Sequence, residues 1–585
     1  MNQVVLKDPA GPGWLLFQEP GQVIQAWQPG QVLPALRQLE TAVEAEGLYA
    51  AGFISYEAAP AFDSALQVRP DGGFPLLWFG LYPAPRREAL LPSPAEAPPA
   101  ALAWSPSVNR DEYDRAIARV KDYIARGDTY QVNFTLRLRA PFVGDAWELF
   151  LRLVQAQPTP YSAYLDIGPF VVCSASPELF FQLDGDLLTA RPMKGTAARG
   201  RTLAEDQEQA SWLQRSQKDR AENVMIVDML RNDLGRVAQV GSVTVPSLFQ
   251  VERYPTLWQM TSTIQARSPA PLSEILKAVF PCASITGAPK PRTMRIISAL
   301  ETAPRRVYTG CIGYYAPGRQ ARFSVAIRTV LVDRQARQAE YGTGGGIVWD
   351  STSAGEYAEC LLKAVLVAEK RPDFSLLETM RWTDQEGFYL LEEHIHRLGE
   401  SAEYFGFPLD LSRLCSELES LASRQRMAGK PPPSARVRLL LDSGGEFTFE
   451  TFPLAEPPNA RPLHLGVAPK PVDSASPFLY HKTTHRQAYQ EALAACPSCD
   501  DVVLWNERRE VTETCIANLV YQLNGQLFTP PAACGLLPGT LRARLLAQGQ
   551  VQERVLALAD LAACEKLFVI NSVRGWQEAI LAGAG

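Results

Sequence analysis

Three groups of residues in this chain combine side-chain types that can do chemistry together. In the first, Glu178 in SASPELFFQL is followed by Lys194 in RPMKGTAARG. A strand, a turn and a second strand fit the interval, so carboxyl and amine can face one site across a hairpin. Lys194 stands between Met193 and Gly195–Thr196. In a partly apolar pocket such an amine sheds its proton and becomes a nucleophile; on a surface it is only a lysine before a turn. In the second group, ENVMIVDMLRNDLGRV carries Glu222, Asp228 and Asp233, and EYAECLLKA carries Glu356, Glu359 and Lys363. Helical spacing puts Glu222 and Asp233 on one face. Carboxylates from two helices can hold Mg²⁺, with water and an anionic substrate completing its shell; solvated helix faces are the alternative. SITGAPKPRTM, AIRTV and YGTGGGIV add glycine-exposed N–H groups and the cations Lys290 and Arg328. With Lys363 these suit a small molecule bearing two carboxylates. The third group is LYHKTTHRQAY with Lys482, EVTETCIANLV with Glu513, LLPGTLRARLL and FVINSVRGWQEA, and Arg397 in EEHIHRL. A lysine, a carboxylate able to keep a ring nitrogen protonated and a Gly-Thr helix start are what pyridoxal phosphate requires. Arg397 can add a charge-assisted pair to the phosphate.

Histidine placement limits the chemistry. All 5 histidines (His394, His396, His464, His481, His485) lie after residue 390, so nothing before that point can use a Ser-His-Asp or Cys-His arrangement. The 57 basic and 63 acidic residues give a net charge of −6 without a basic block, which argues against nucleic acid as partner. The N-terminus MNQVVLKDPAGPGWLLFQ lacks a charged segment leading into an apolar run, and no stretch is long and apolar enough for a membrane span. The cytosol is therefore the expected compartment, with the 10 cysteines reduced. Cys496 and Cys499 form the one C-x-x-C, read as loop placement rather than a metal or redox site.

The 585 residues correspond to about four structural units at roughly 150 residues each. PAPRREALLPSPAEAPPA at 83–100 reads as a linker or surface excursion, a second break falls near 370, and KPPP at 430–433 and AEPPNARP at 455–462 are loops. We therefore expect one module over 1–370, with an N-terminal lobe part in 1–100 and a catalytic region in 101–370, and a second over 371–585. PFVVCSASPELFFQL and ARFSVAIRTVLVD are strand-like; AENVMIVDMLRNDLGRVAQ and EYAECLLKAVLVAEK have helical apolar spacing. The expected class is α/β (α+β), with extended sheets covered by helices. The second module opens with strand-like FSLLETMRW and GFYLL, followed by an amphipathic helix in EEHIHRLGESAEYFGF.

FPCASITGAPKPRTMRII, ENVMIVDMLRNDLGRV, YTGCIGYYAPG, AIRT and YGTGGGIVWDSTSAGEYAE, in that order over about residues 110–370, resemble the chorismate-utilising enzymes. That resemblance implies a large two-sheet module with helices outside. PMKGT at Lys194 is similar to the P-x-K-G-T of the aminodeoxychorismate synthase branch, where the anthranilate branch usually has alanine. Gln131, in GDTYQVNFT, stands where the isochorismate and salicylate branches place a water-activating lysine, and glutamine is no base at pH 7. Both residues favour nitrogen transfer. The resemblance implies Glu178 as general acid, Lys194 as nucleophile on ring carbon two, Glu222 and Glu359 as Mg²⁺ ligands, and Thr286, Arg328, Tyr341, Gly344, Gly345 and Lys363 as substrate contacts. Gln259 stands where relatives often have histidine, which leaves that position without an acid role. No G-x-C-x-G elbow is present, so glutamine-derived ammonia would come from a separate amidotransferase subunit.

Residues 374–580 are similar to the two-lobed class IV pyridoxal-phosphate fold, with the lyase acting on aminodeoxychorismate as the best match. This implies Lys482 as the cofactor lysine, Glu513 as ring-nitrogen partner, and Arg397, Gly539, Thr540, Asn571 and Ser572 as the phosphate cup. Contact between two copies through this module is a further expectation. D-amino-acid and branched-chain aminotransferases share these residues; fusion to the first module favours the lyase, by association. The expected activity is bifunctional synthesis of 4-aminobenzoate, a folate precursor. The alternatives are an anthranilate-type synthase fused to an aminotransferase, or a non-catalytic chorismate- or tryptophan-binding regulator of an amidotransferase.

Overall fold

A computed structural model describes residues 2–11, 13–94, 102–368, 372–427, 434–454 and 461–582. The break expected near 370, the KPPP loop, residues 95–100 of the 83–100 segment and residues 455–460 of the 455–462 loop lie outside these residues. The chain forms two compact units, Met1–Ala197 with Ser211–Arg371, and Ala198–Ala210 with Pro372–Gly585.

Among the described residues the first unit contains two ten-stranded sheets. The first runs outward from Gln131–Pro141 through Gln338–Ile347, Thr329–Asp333, Phe170–Ser176 and Tyr161–Asp166 to Gln3–Lys7 and Trp14–Phe17. The second runs from Met193–Ala198 and Leu257–Arg267 through Leu187–Arg191, Leu179–Asp184, Gln320–Val325 and Cys311–Ala316 to Tyr49–Ile54 and Leu77–Tyr82. The N-terminal strands are thus built into both sheets: Val4 pairs with Leu165, and Gly52 with Gly313.

Period-2 patterning explains the layers. One set of inward side chains, including Val4, Leu6, Phe17, Leu165 and Leu331 from one sheet and Phe53, Trp78 and Ile312 from the other, forms a shared core between the sheets. Opposite side chains take up the helices. Pro29–Glu46, Gln217–Gly235 and Leu272–Val279 cover the second sheet, with Leu36, Leu39, Ile226, Leu230, Ile275 and Leu276 in one cluster. Arg110–Ala125, Ala146–Ala156 and Lys290–Leu300 cover the first, through Ile117, Phe150 and Ile297. Each fully buried apolar side chain of this size contributes about 2 kcal/mol. Local signals set the helix starts: Asn109 accepts from the Glu112 N–H at 2.9 Å while the Glu112 carboxylate accepts from the Asn109 N–H at 2.8 Å.

The second unit contains, among the described residues, a four-stranded antiparallel sheet and an eight-stranded mixed sheet. FSLLETMRW forms the strand Leu376–Thr383, paired with Ser434–Leu441. GFYLL forms only the two-residue strand Gly387–Phe388, because Leu390 takes a left-handed φ of 58° and starts the helix Leu391–Phe405. No helix among the described residues is long and apolar enough to cross a membrane.

Candidate active sites

The first unit holds a cleft of about 480 Å³ between the open ends of its two sheets. Glu178 immediately precedes the strand Leu179–Asp184, which pairs with Leu187–Arg191 so that Leu179 faces Arg191. Lys194 follows in the next strand, Met193–Ala198. The expected hairpin therefore exists, and both side chains line the cleft. Glu178 is buried and accepts a 2.6 Å hydrogen bond at Oε1 from the Ser284 hydroxyl. Burial pushes its carboxyl up to about 7, against the opposing pull of Ser284 and the Lys194 charge. Burial also lowers the Lys194 amine, against the raising effects of Glu222 and Glu178. Desolvation thus drives the pair toward protonated acid and free amine.

The backbone around Lys194 is held by two side chains, Asn223 and Gln259. The Lys194 carbonyl accepts from Asn223 Nδ2 at 3.4 Å, Asn223 Oδ1 accepts from the Ser262 hydroxyl at 2.6 Å, and Gln259 Nε2 donates to the Gly195 carbonyl at 2.8 Å. Gly195 sits at φ +95°, and a Cβ there would lie 2.9 Å from Asp219 Cβ, so glycine is required. Gln259 thus positions the lysine strand. Across the cleft runs the glycine-rich strand Gln338–Ile347. A Cβ at Gly346 would lie 2.8 Å from Lys194 Nζ and 2.2 Å from Gln131 Nε2, so this glycine makes room for both. Gln131 is fully buried, and its amide atoms find no hydrogen-bond partner among the described residues.

Arg328, Tyr341, Gly344, Gly345, Lys363, Glu222 and Glu359 all line this cleft. Lys363 Nζ donates to the Gly344 carbonyl at 2.9 Å and pairs with Glu359 at 2.8 Å. The Tyr341 hydroxyl donates to the Lys363 carbonyl at 3.1 Å, and burial pushes it up to about 12. Burial lowers Arg328. Thr286 departs from the expectation. It is fully buried behind the wall that Ser284 and Ile285 form, and its hydroxyl donates back to the Cys282 carbonyl at 3.2 Å. Lys290 and Asp233 also stay out of the cleft, because they pair with each other at 2.9 Å. Asp228 is on the surface beside Arg231. Ser284 was missed from sequence although it stands in the same SITG motif as Thr286; Asn133 and Lys218, also in the lining, carry no sequence signal.

Besides Glu178, four carboxylates, Asp219, Glu222, Glu356 and Glu359, share the lining. Burial raises Glu222 and Glu356, the condition of acids short of positive charge. Among the described residues no three such ligands converge tightly enough to enclose an ion by themselves. The set fits Mg²⁺, which keeps water and substrate oxygens alongside one or two carboxylates.

The second unit has its own cavity, about 350 Å³, lined by Lys482, Glu513, Arg397, Gly539, Thr540, Asn571 and Ser572. Glu513, on the strand Val511–Thr514, accepts from the Leu537 N–H at 3.1 Å, the Tyr489 hydroxyl at 2.9 Å and Asn518 Nδ2 at 3.1 Å. Burial pushes its carboxyl up to about 7. Burial, then the Arg397 charge, brings the Lys482 amine down to about 8. Arg397 donates through Nε and Nη2 to Glu378 at 2.9 and 2.6 Å, and through Nη1 to the Pro538 carbonyl at 3.2 Å. Burial alone would raise Glu378, but Arg397 and then His394 outweigh it and hold the carboxyl at about 2. Gly539 caps the helix Thr540–Ala547, and a Cβ there would lie 2.0 Å from Asn518 Oδ1. The Asn571 side chain accepts from the N–H groups of Val573 and Arg574, which shapes the turn. The Ser572 hydroxyl donates to the Thr379 carbonyl at 3.4 Å. A buried carboxylate short of positive charge, a buried amine and a helix start that only glycine can form fit pyridoxal phosphate. Tyr489, Glu378 and Asn518 support this set; Tyr489 and Asn518 stood in the quoted LYHKTTHRQAY and EVTETCIANLV motifs, whereas Glu378 lay in a segment read only as a strand.

Residues 1–369 match the family model described as chorismate binding enzyme, and residues 375–579 match that described as Amino-transferase class IV. Aminodeoxychorismate synthase component 1 of Salmonella typhimurium is 44% identical over 259 residues, which is 44% of this chain and 57% of that protein. Aminodeoxychorismate synthase of Streptomyces griseus is 42% identical over 259 residues, 44% of this chain and 36% of that protein. The matched stretch spans about half or less of the length of these relatives. Anthranilate synthase component I from Streptococcus pneumoniae superposes with a TM-score of 0.54 at 26% identity, covering 61% of this chain and 92% of that structure. A match over 1–369 that takes in both sheets and the cleft between them means that this chain belongs to the chorismate-binding enzyme family.

Proposed function

We propose that the chain makes 4-aminobenzoate in two steps, divided between a synthase module over 1–370 and a lyase module over 371–585. The first joins chorismate and ammonia into 4-amino-4-deoxychorismate. The second eliminates pyruvate. Ammonia comes from a separate glutamine amidotransferase subunit, or is taken free. The observation that carries the reading is the buried Glu178–Lys194 pair in one cleft, where burial raises the carboxyl and lowers the amine.

In the first step Lys194 Nζ bonds to ring carbon two. Both conjugated ring double bonds shift, the bond from carbon four to its hydroxyl breaks, and Glu178 gives its proton to the departing oxygen, which leaves as water. Ammonia then bonds to carbon four, both double bonds shift back, Lys194 is expelled as the amine, and the surplus proton of the added ammonia returns to the Glu178 carboxylate. Gln131 offers no base for water attack. Glu222 and Glu359 would hold Mg²⁺, which supplies fixed positive charge to a substrate carboxylate. Arg328, Lys363 and the glycine strand face the rest of the substrate.

In the second cavity, pyridoxal phosphate supplies an electron sink when bound. Glu513 would hold a proton at the ring nitrogen, Arg397 and the Gly539–Thr540 helix start would bind the phosphate, and Lys482 Nζ would take the proton from the amine-bearing ring carbon and give it to the enolpyruvate that leaves from carbon three as pyruvate while the ring aromatises. The deciding experiment incubates the purified protein with chorismate, Mg²⁺ and ammonium, with pyridoxal phosphate present or withheld. Expected are 4-aminobenzoate with the cofactor and aminodeoxychorismate without it, plus a substrate-sized mass adduct on Lys194 when the reaction is trapped midway. Ortho-aminobenzoate without such an adduct would establish the anthranilate-type alternative instead.

A further inference from the structure

The second cavity carries more positive charge than pyridoxal phosphate needs. Besides Arg397 and Lys482, its lining includes Arg436, Arg438, Arg486 and Arg574, against the single carboxylate Glu513. Arg397 is already paired with Glu378. Arg486 is tied to the Cys515 carbonyl and stacks on Tyr489. Arg436 and Arg438 are different in kind. They sit two apart on the strand Ser434–Leu441, so both point to the same face. The register puts Arg438 opposite Thr379 and Arg436 opposite Arg381. Leu377 and Thr379 of that partner strand line the cavity too, so this face of the small sheet forms its wall.

Arg436 lies over the Phe452 ring at 4.8 Å and has no carboxylate within salt-bridge distance among the described residues. Arg438 has one partner, Glu450, at 2.9 Å from Nη1, and that pair is about a third exposed. A partly exposed pair of this kind contributes little to stability. Two guanidinium groups side by side, one unpaired, repel each other unless an anion lies between or before them.

We propose that Arg436 and Arg438 form a carboxylate clamp that selects a dianionic substrate for the second cavity. The assignment rests on the reading of this unit as a pyridoxal-phosphate enzyme and narrows its substrate class to molecules bearing two carboxylates. A planar guanidinium accepts a carboxylate in a bidentate fork, which a lysine cannot reproduce. The clamp separates such a substrate from amino acids with neutral side chains, which would leave one guanidinium without a counter-ion.

The test uses the full-length holoenzyme. Visible absorbance of the bound cofactor is titrated with isophthalate, which has two carboxylates, and with benzoate, which has one. Pyruvate release from aminodeoxychorismate is measured in parallel. The wild type should bind isophthalate at least about 10-fold more tightly than benzoate. Arg436→Gln and Arg438→Gln should each remove that preference and raise KM for elimination by about 10- to 100-fold, with kcat and cofactor content unchanged. Glu450→Gln releases Arg438 without removing it, so it should leave KM unchanged or lower it; an Arg438–Glu450 pair of purely structural value would respond alike to either substitution. Loss of cofactor in the arginine variants would assign them to the phosphate and overturn the clamp. Unchanged KM and unchanged preference would overturn it as well. If isophthalate is preferred but no pyruvate is released, the clamp stands and the lyase assignment fails.

Discussion

Ser284→Ala isolates the contact that tunes the acid of the first site. The Ser284 hydroxyl donates to Glu178 Oε1 at 2.6 Å and favours the charged carboxylate, while burial has already pushed that carboxyl up to about 7. A hydrogen bond to a charged group contributes about 1.5–3 kcal/mol, and one pKa unit is about 1.4 kcal/mol. Removing it should therefore raise Glu178 by about one to two units. The sign follows directly. Glu178 must be protonated to release hydroxyl from chorismate, so a higher pKa keeps the acid competent to higher pH. The assay is the pH profile of kcat/KM for aminodeoxychorismate formation with saturating Mg²⁺ and a constant concentration of free ammonia at each pH. The wild-type profile should fall on its alkaline side near neutrality, and Ser284→Ala should shift that fall upward by about one to two units. Because Glu178 and Lys194 each feel the other's charge, the limb belongs to the pair. Glu178→Gln, which has no proton to lose, should have no alkaline limb. An alkaline limb that stays put in Ser284→Ala, or moves to lower pH, would refute the assignment of Glu178 as the proton donor.

Gly346→Ala puts a Cβ 2.8 Å from Lys194 Nζ and 2.2 Å from Gln131 Nε2, so it should slow the first step by about 100-fold while pyruvate release from supplied aminodeoxychorismate is unchanged; separate assays of the two steps check this. Lys482→Ala removes the amine that burial brings to about 8 and should abolish the visible absorbance of bound pyridoxal phosphate, with aminodeoxychorismate accumulating in its product mixture. EDTA should stop the first step and spare the second, and excess Mg²⁺ should restore the first; equal sensitivity of both steps would remove Glu222 and Glu359 from a metal role.

The residues legible in the sequence are those whose local setting already constrains them. Lys194 stands beside Gly195, whose φ of +95° shapes the strand, and Gly539–Thr540 open a helix at a close approach that excludes a Cβ. Their partners are less legible because strand pairing, not chain proximity, joins them. Ser284 reaches Glu178 from a turn far along the chain, and Glu378 reaches Arg397 from a neighbouring strand. Helical periodicity correctly aligned Glu222 with Asp233 but carried no information about depth. Their spacing spans about 16 Å of helix axis at 1.5 Å per residue, so one end faces the cleft while the other meets Lys290. Thr286 shows a similar gap: its motif lies at the site, but the backbone turn points its hydroxyl to Cys282. Alternating strands and helices indicated sheets with helices outside. Pairing of Gln3–Lys7 with Tyr161–Asp166, by contrast, is a long-range choice set by the shared core.

Burial acts on both sites in the same direction, yet the two chemistries use it differently. It pushes Glu178 and Glu513 to about 7 and lowers Lys194 and Lys482. In the proposed first step the raised value at Glu178 is what the role needs, because the acid would have to arrive protonated and lose its proton only to the leaving oxygen. Glu513 needs the reverse. It must carry charge to hold a proton on a ring nitrogen, so its raised value describes a site short of one cation. Its three donors, Leu537, Tyr489 and Asn518, already favour the charged form and cannot by themselves offset desolvation. A protonated ring nitrogen supplies the missing charge at the place where those donors leave off. In the proposed reactions the same buried-carboxylate device would thus serve as a proton source in one unit and as a receptor for a cationic ring in the other, and what would decide between them is the neighbour: an amine whose charge burial disfavours at Lys194, or a pocket left open for a charged guest.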